Sequence, residues 1–206
     1  MYLKGAGIME NYFEYGEKEL SFLQKKDKKL AAAIDRIGMI KRRVNPDVFS
    51  ALTESIISQQ ISSKAAATVC KKLDDLSKMQ PDKLHALSQE EIQACGMTKR
   101  KAGYIKSLAT HYIEKTIDFC GIKDKPDIEI IKTLTKVDGI GVWTVEMLLI
   151  FSLQRPDVVS FGDLAIRRGM MNLYGHKEIK KERFLRYAQR YSPFGSVASL
   201  YLWELS

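Results

Sequence analysis

The feature that most constrains this chain is the near-absence of period-2 alternation along it. Apolar residues recur at helical spacing instead, in segments separated by short breaks. A chain patterned this way has no half-buried strand to offer and must bury the apolar stripes of its helices against one another. The segments run "EKELSFLQKK", "KKLAAAIDRIG" with Gly38 as a C-cap, and "PDVFSALTESIIS" opened by Asn45-Pro46 with the proline in the first turn. Next come "SSKAAATVCKKLDDLS", "PDKLHAL" and "SQEEIQAC", where Ser88 and Glu91 make a capping box. "TKRKAGYIKSLATHYIEK" follows, with Thr98 as its cap, then "PDIEIIKTLTKV" and "VWTVEMLLIFS". "DLAIRRGMMNLYG", "KKERFLRYAQRY" and "GSVASLYLWELS" complete the series. The expected fold class is all-α, without tandem repeats. The lysine-rich residues 1–44 are expected to form an N-terminal helical extension packing on a core domain of residues 45–206.

Charge and cysteine usage bound the chemistry. Lys plus Arg is 33 against 25 for Asp plus Glu, a net charge of +8, which favours polyanionic partners, nucleic acid first and an acidic membrane surface second. No run is long enough to span a bilayer, since "MLLIFSL" is far too short, and the N-terminus has no signal-like apolar core. Cys70, Cys95 and Cys120 are too scattered for an iron–sulfur cluster or a structural zinc, and His85, His111 and His176 are scattered too. The reading is a reducing cytoplasm, unpaired thiols and no redox cofactor.

The stretch "TLTKVDGIGVWTVEMLLIFS" carries more chemistry. Gly139 and Gly141 bracket Ile140 between two helical patterns, giving a hairpin over about residues 128–152. Glycines here permit a turn that presents successive backbone N–H groups at the second helix's N-terminus, where a phosphate oxygen can bind. Gly139, Ile140, Gly141, Val142 and Thr144 are therefore candidate DNA contacts. The carbonyls of Thr135, Val137 and Ile140 are candidate ligands for a structural monovalent cation at the hairpin. Taken alone, a Gly-x-Gly between helices is an ordinary corner.

It does not stand alone. The chain resembles the helix-hairpin-helix DNA glycosylase superfamily, in its alkylpurine branch (DNA-3-methyladenine glycosylase II type). The resemblance runs in order through "FSALTESIISQQISSKAAATV", "CGMTKRKAGYIKSLA", "LTKVDGIGVWTVEMLLIF", "RPDVVSFGDLAIRRGM" and "YSPFGSVASLYLW". It implies two helical lobes around the hairpin with an active-site cleft between the lobes. It implies a monomer that acts on double-stranded DNA with a damaged base, neither membrane-bound nor iron–sulfur-dependent. Such a protein belongs in the cytoplasm, with the nucleoid if bacterial.

The resemblance puts the catalytic carboxylate at Asp163 in "SFGDLAIRRG". Breaking an N-glycosidic bond builds positive charge on the sugar, and a fixed carboxylate stabilises it and orients water. Aspartate is also a favoured N-cap, so position alone would not single it out. Asp157 and Asp138 fit turns. Family members that also cut the strand carry a lysine just before the hairpin threonine; here Trp143 precedes Thr144, and indole cannot form a Schiff base. The activity implied is hydrolytic release of 3-methyladenine- or 7-methylguanine-type bases, leaving an abasic site and an uncut strand. The base must first be flipped out of the duplex. Trp203 matches the position that stacks on it, with Trp143, Met147, Phe161 and Tyr191 as further pocket candidates. Met147 stands where a bacterial member of the family has a tyrosine, which leaves substrate breadth open. The wedge filling the vacated stack comes from Gln59, Gln60, Ile61 or Ser62, Gln60 being the first choice. Lys99, Arg100 and Lys101, with Arg167 and Arg168, are candidate phosphate contacts. A glycosylase for oxidised or mismatched bases and a non-catalytic helix-hairpin-helix module are the competing readings.

Overall fold

A computed structural model describes residues 11–206; the first ten residues of the expected N-terminal extension lie outside the described part. The described chain is all-helical, with twelve α-helices and a single 3-10 turn at Ile122–Asp124. Its only extended pairing, among the described residues, is an isolated antiparallel bridge between Tyr12 and Arg43. No helix is long and apolar enough to cross a membrane among those residues. The described chain divides into two compact units, one formed by residues 47–153 and the other by the described residues up to 46 with 154–206.

The central unit contains α3 (Val48–Ser58), α4 (Ser63–Ser77), α5 (Pro81–Ala86), α6 (Gln89–Ala94), α7 (Lys99–Ile113), α8 (Asp127–Leu134) and α9 (Val142–Phe151). Helix α7 is its spine, packing on α3, α5 and α6 and burying Ala102, Ile105, Leu108 and Ala109. Capping chemistry sets the starts. Ser62 Oγ accepts Ala65 N, Thr98 Oγ1 accepts Lys101 N, and Ser88 with Glu91 forms the expected capping box. The start of α3 differs from expectation. Asp47 is its N-cap, accepting Ser50 N, so Pro46 lies before the helix and not in its first turn. A carboxylate that satisfies an orphan amide is the stronger start signal here. Helix α9, "VWTVEMLLIF", is apolar almost all round because it is buried at Thr144, Val145 and Leu148–Ile150.

The other unit is discontinuous. Helices α1 (Glu17–Lys26) and α2 (Lys28–Ile37) pack with α10 (Leu164–Tyr174), α11 (Lys181–Tyr191) and α12 (Gly195–Glu204). The described part of residues 1–44, expected as an extension packing on the core, itself contributes to a core: Phe13, Leu23, Leu30 and Ile34 are all buried. Burying each such side chain contributes roughly 1.5–3 kcal/mol. Helix α12 is buried from Gly195 to Leu202, and α10 crosses it closely enough that a methyl group at Gly169 would sit 1.8 Å from the Leu202 carbonyl oxygen. Asp157 holds the start of α12, accepting Gly195 N at 3.0 Å and the Ser192 hydroxyl at 2.5 Å.

Candidate functional site

Each unit presents its own set of the residues singled out by sequence. In the discontinuous unit, Asp163 is the N-cap of α10 and is buried. Its Oδ1 accepts Ile166 N at 2.8 Å and the Trp203 indole N–H at 3.3 Å. The helix start and the indole together fix that oxygen. The capping and catalytic readings are therefore compatible, since the cap itself positions the carboxylate. Trp203, near the end of α12, is half-buried, and the Arg42 guanidinium lies over its ring at 5.9 Å.

Phe161 is half-buried, edge-on to Phe184 at 5.2 Å, with the Arg167 guanidinium over its face at 5.1 Å. The half-buried Arg167 is thus packed on an aromatic ring and its Nε is buried, while Arg168 is exposed. Tyr191 requires a correction. It is fully buried, and its hydroxyl pairs with that of Tyr174 at 2.8 Å, which in turn donates to Asp27 at 2.5 Å. Burial holds both phenols protonated well above their usual range. Tyr191 is a core residue and not a pocket wall, because its polar end is consumed by that cluster.

In the central unit, the hairpin runs α8–turn–α9. Gly139 adopts φ 82°, and a Cβ there would meet the Tyr104 ring at 2.2 Å, so both conformation and space demand glycine. Gly141 is extended (φ −96°) and N-caps α9 without a side-chain bond, leaving the helix start to backbone amides. Val142 and Trp143 are exposed, Met147 is half-buried and Thr144 is buried. Thr135 spends its hydroxyl on the Ile131 carbonyl, and the Val137 carbonyl already accepts Ile140 N. A cation at this turn would therefore be held by backbone oxygens alone. Among the described residues no group of three or more His, Cys, Asp or Glu side chains could hold a metal.

The loop after α3 lies against the hairpin. Gln59 donates its Nε2 to the Gly139 carbonyl at 2.9 Å, which ties loop to turn. Gln60 is exposed with φ 58°, a left-handed conformation; Ile61 and Ser62 are exposed beside it, Ser62 capping α4. Gln59, Gln60, Ile61, Thr98, Arg100, Lys101, Tyr104 and Gly139 line a cavity of about 370 Å³. Lys101, expected among the phosphate contacts, donates instead to the carbonyls of Ile57 (2.7 Å) and Gln59, closing the end of α3, and desolvation lowers its pKa. Lys99 and Arg100 remain exposed, Arg100 bonding and covering Tyr104. Sequence reasoning missed Tyr104, which fills the space beside Gly139, and Arg42. Nothing in "IKRRV" marks which cation would reach the tryptophan.

Comparison with known proteins gives these residues a context. Residues 53–193 match the model of the HhH-GPD superfamily base excision DNA repair protein. The chain is 32% identical over 196 residues to DNA-3-methyladenine glycosylase 1 of Schizosaccharomyces pombe, covering 92% of this chain and 86% of that one. The crystal structure of a Bacillus halodurans DNA-3-methyladenine glycosidase superposes with a TM-score of 0.83 at 33% identity, over 94% of this chain and 91% of the other. The S. pombe 3-methyladenine DNA glycosylase in complex with abasic DNA superposes with a TM-score of 0.78 at 31% identity, over 91% and 95%. The fold, the hairpin at 139–141 and the matched span of sequence converge: the chain belongs to the HhH-GPD superfamily of base excision DNA repair proteins.

Proposed function

We propose that this protein is a monofunctional DNA glycosylase of base excision repair that releases alkylated purines of the 3-methyladenine and 7-methylguanine type. The observation that carries the reading is the buried Asp163 carboxylate, fixed by Ile166 N and by the indole N–H of Trp203. A carboxylate bonded to the edge of an aromatic ring brings together the two groups the reaction needs. The indole stacks on the flipped, cationic base, and the carboxylate faces the positive charge that develops on the sugar. The relatives named above as 3-methyladenine glycosylases, one of them bound to abasic DNA, support the substrate class.

The remaining roles follow from the same reading. The amides from Gly139 to Thr144 grip a phosphate, with a monovalent cation on the carbonyls of Thr135, Val137 and Ile140 as a structural aid. Gln60, exposed in its loop, is the wedge, flanked by Gln59, Ile61 and Ser62. Lys99, Arg100 and Arg167 add phosphate contacts, and Trp143, Met147 and Phe161 add contacts to the base. With Trp143 where a lysine would form a Schiff base, water is the nucleophile and the strand stays intact. The protein works on duplex DNA as a monomer, in the compartment that holds the genome.

The test is base release from alkylated duplex, with strand integrity read in the same reaction. Asp163→Asn keeps the capping oxygen but not the charge, and is expected to slow release by about 10²–10³-fold, the size of a lost transition-state contact. Release at the wild-type rate would remove Asp163 from the catalytic role. Binding without any release by the wild type would favour a non-catalytic module, and a nicked strand would restore lyase chemistry.

A further inference from the structure

Arg42 lies far in sequence from Asp163 and Trp203, yet its guanidinium sits over Trp203 at 5.9 Å. The loop that carries it is pinned at several points. Arg42 O accepts Phe13 N at 2.8 Å and Val44 N donates to Asn11 O at 2.9 Å, so backbone bonds bracket the residue. The Tyr15 hydroxyl accepts Ile40 N at 2.7 Å and donates to Ile40 O at 2.8 Å. From α12 itself, the Tyr201 hydroxyl donates to Gly38 O at 3.0 Å. The helix that bears Trp203 thus also anchors the loop that brings the cation to its ring. Asp163 holds the same indole through its N–H.

A cation parked on the aromatic surface that receives the base has two electrostatic consequences. It opposes a second positive charge stacking on the same ring, which weakens selection for cationic lesions. It also favours negative charge on whatever leaves. In the reaction, water adds to C1′, the C1′–N9 bond breaks and its electron pair departs on the purine. With 7-methylguanine that pair neutralises the ring cation. With an uncharged lesion such as hypoxanthine the purine leaves as an anion until it takes up the proton that the water loses. A fixed guanidinium stabilises that anion and has nothing to stabilise in the cationic case.

We infer that Arg42 is a specificity-determining residue that extends base release to uncharged purine lesions at the expense of preference for cationic ones. The inference rests on the glycosylase reading above and deepens it. Its test compares single-turnover release of hypoxanthine and of 7-methylguanine from duplexes of one sequence, by the wild type, Arg42→Gln and Arg42→Lys. The wild type is expected to release both bases. Arg42→Gln is expected to lower the hypoxanthine rate relative to the 7-methylguanine rate by about ten-fold, the scale of a desolvated cation–π contact. Arg42→Lys, which keeps the charge, is expected to preserve most of the wild-type ratio. Equal losses on both substrates in Arg42→Gln would show a merely structural contact and overturn the inference, as would a lysine variant with the glutamine variant's ratio. A wild type that releases 7-methylguanine but no hypoxanthine also overturns it, whether or not the glutamine variant folds. Failure of the underlying reading looks different, because the wild type would then release neither base.

Discussion

Gly169 within α10 and Gly175 at its end would receive a methyl group very differently. At Gly169 an ideal Cβ lies 1.8 Å from the Leu202 carbonyl oxygen, so α10 and α12 would have to separate. Those helices carry Asp163 and Trp203. Gly169→Ala is therefore expected to cost more than the roughly 1–3 kcal/mol typical of overpacking, and to abolish base release. Gly175 has φ 75° and open space around it, so Gly175→Ala should cost only about 1–2 kcal/mol of backbone strain and leave release intact. Urea unfolding and release rates on both variants check the pair. Single residues also show what could and could not be read from sequence. Asp163 was legible because an N-cap is a local signal and the surrounding motif supplied its chemistry. Lys101 was not, since "KRK" offers three equal cations and only the tertiary fold brings one of them to the carbonyls ending α3. Tyr191 was misread for a similar reason: its partners Tyr174 and Asp27 come from other helices.

At the level of elements, the starts at Ser88 and Thr98 were legible because capping is decided within a few residues, and the end at Gly38 likewise. The exception at Pro46 shows two local signals competing, with the aspartate prevailing. The junction of α1 and α2 is built on a single residue. Asp27 N donates to Leu23 O to end α1, and its carboxylate accepts Lys29 N and Leu30 N to begin α2. The same carboxylate accepts the Tyr174 hydroxyl and faces Arg190 at 3.5 Å. Asp27→Ala should remove a cap and leave the Tyr174–Tyr191 hydroxyl pair without its carboxylate acceptor, a combined loss of about 2–4 kcal/mol. Asp47→Ala, which removes the more exposed cap of α3, should cost about 1 kcal/mol. Denaturant midpoints of the two variants would contradict this account if they moved equally.

For the whole molecule, the buried phenols set the alkaline limit of stability. Tyr174, Tyr191 and Tyr201 all have pKa values raised in the folded state, chiefly by burial. An unfolded tyrosine ionises near pH 10, so above that pH the unfolded chain has fewer bound protons than the native one. The tyrosine contribution is fully present below about pH 10 and is lost as pH rises beyond it. The melting temperature should therefore fall above about pH 10, and Tyr191→Phe should make that fall shallower; an unchanged slope would argue against the cluster's role. The discontinuous unit has a separate consequence for how the protein is made. During synthesis residues 47–153 emerge as one uninterrupted stretch that can fold while the ribosome is still working. The N-terminal segment cannot do the same, because Leu23, Leu30 and Ile34 belong to a unit completed only by residues 154–206. Until α12 arrives, that greasy segment has no core to join, and its apolar side chains stay open to sticking or proteolysis in the nascent chain.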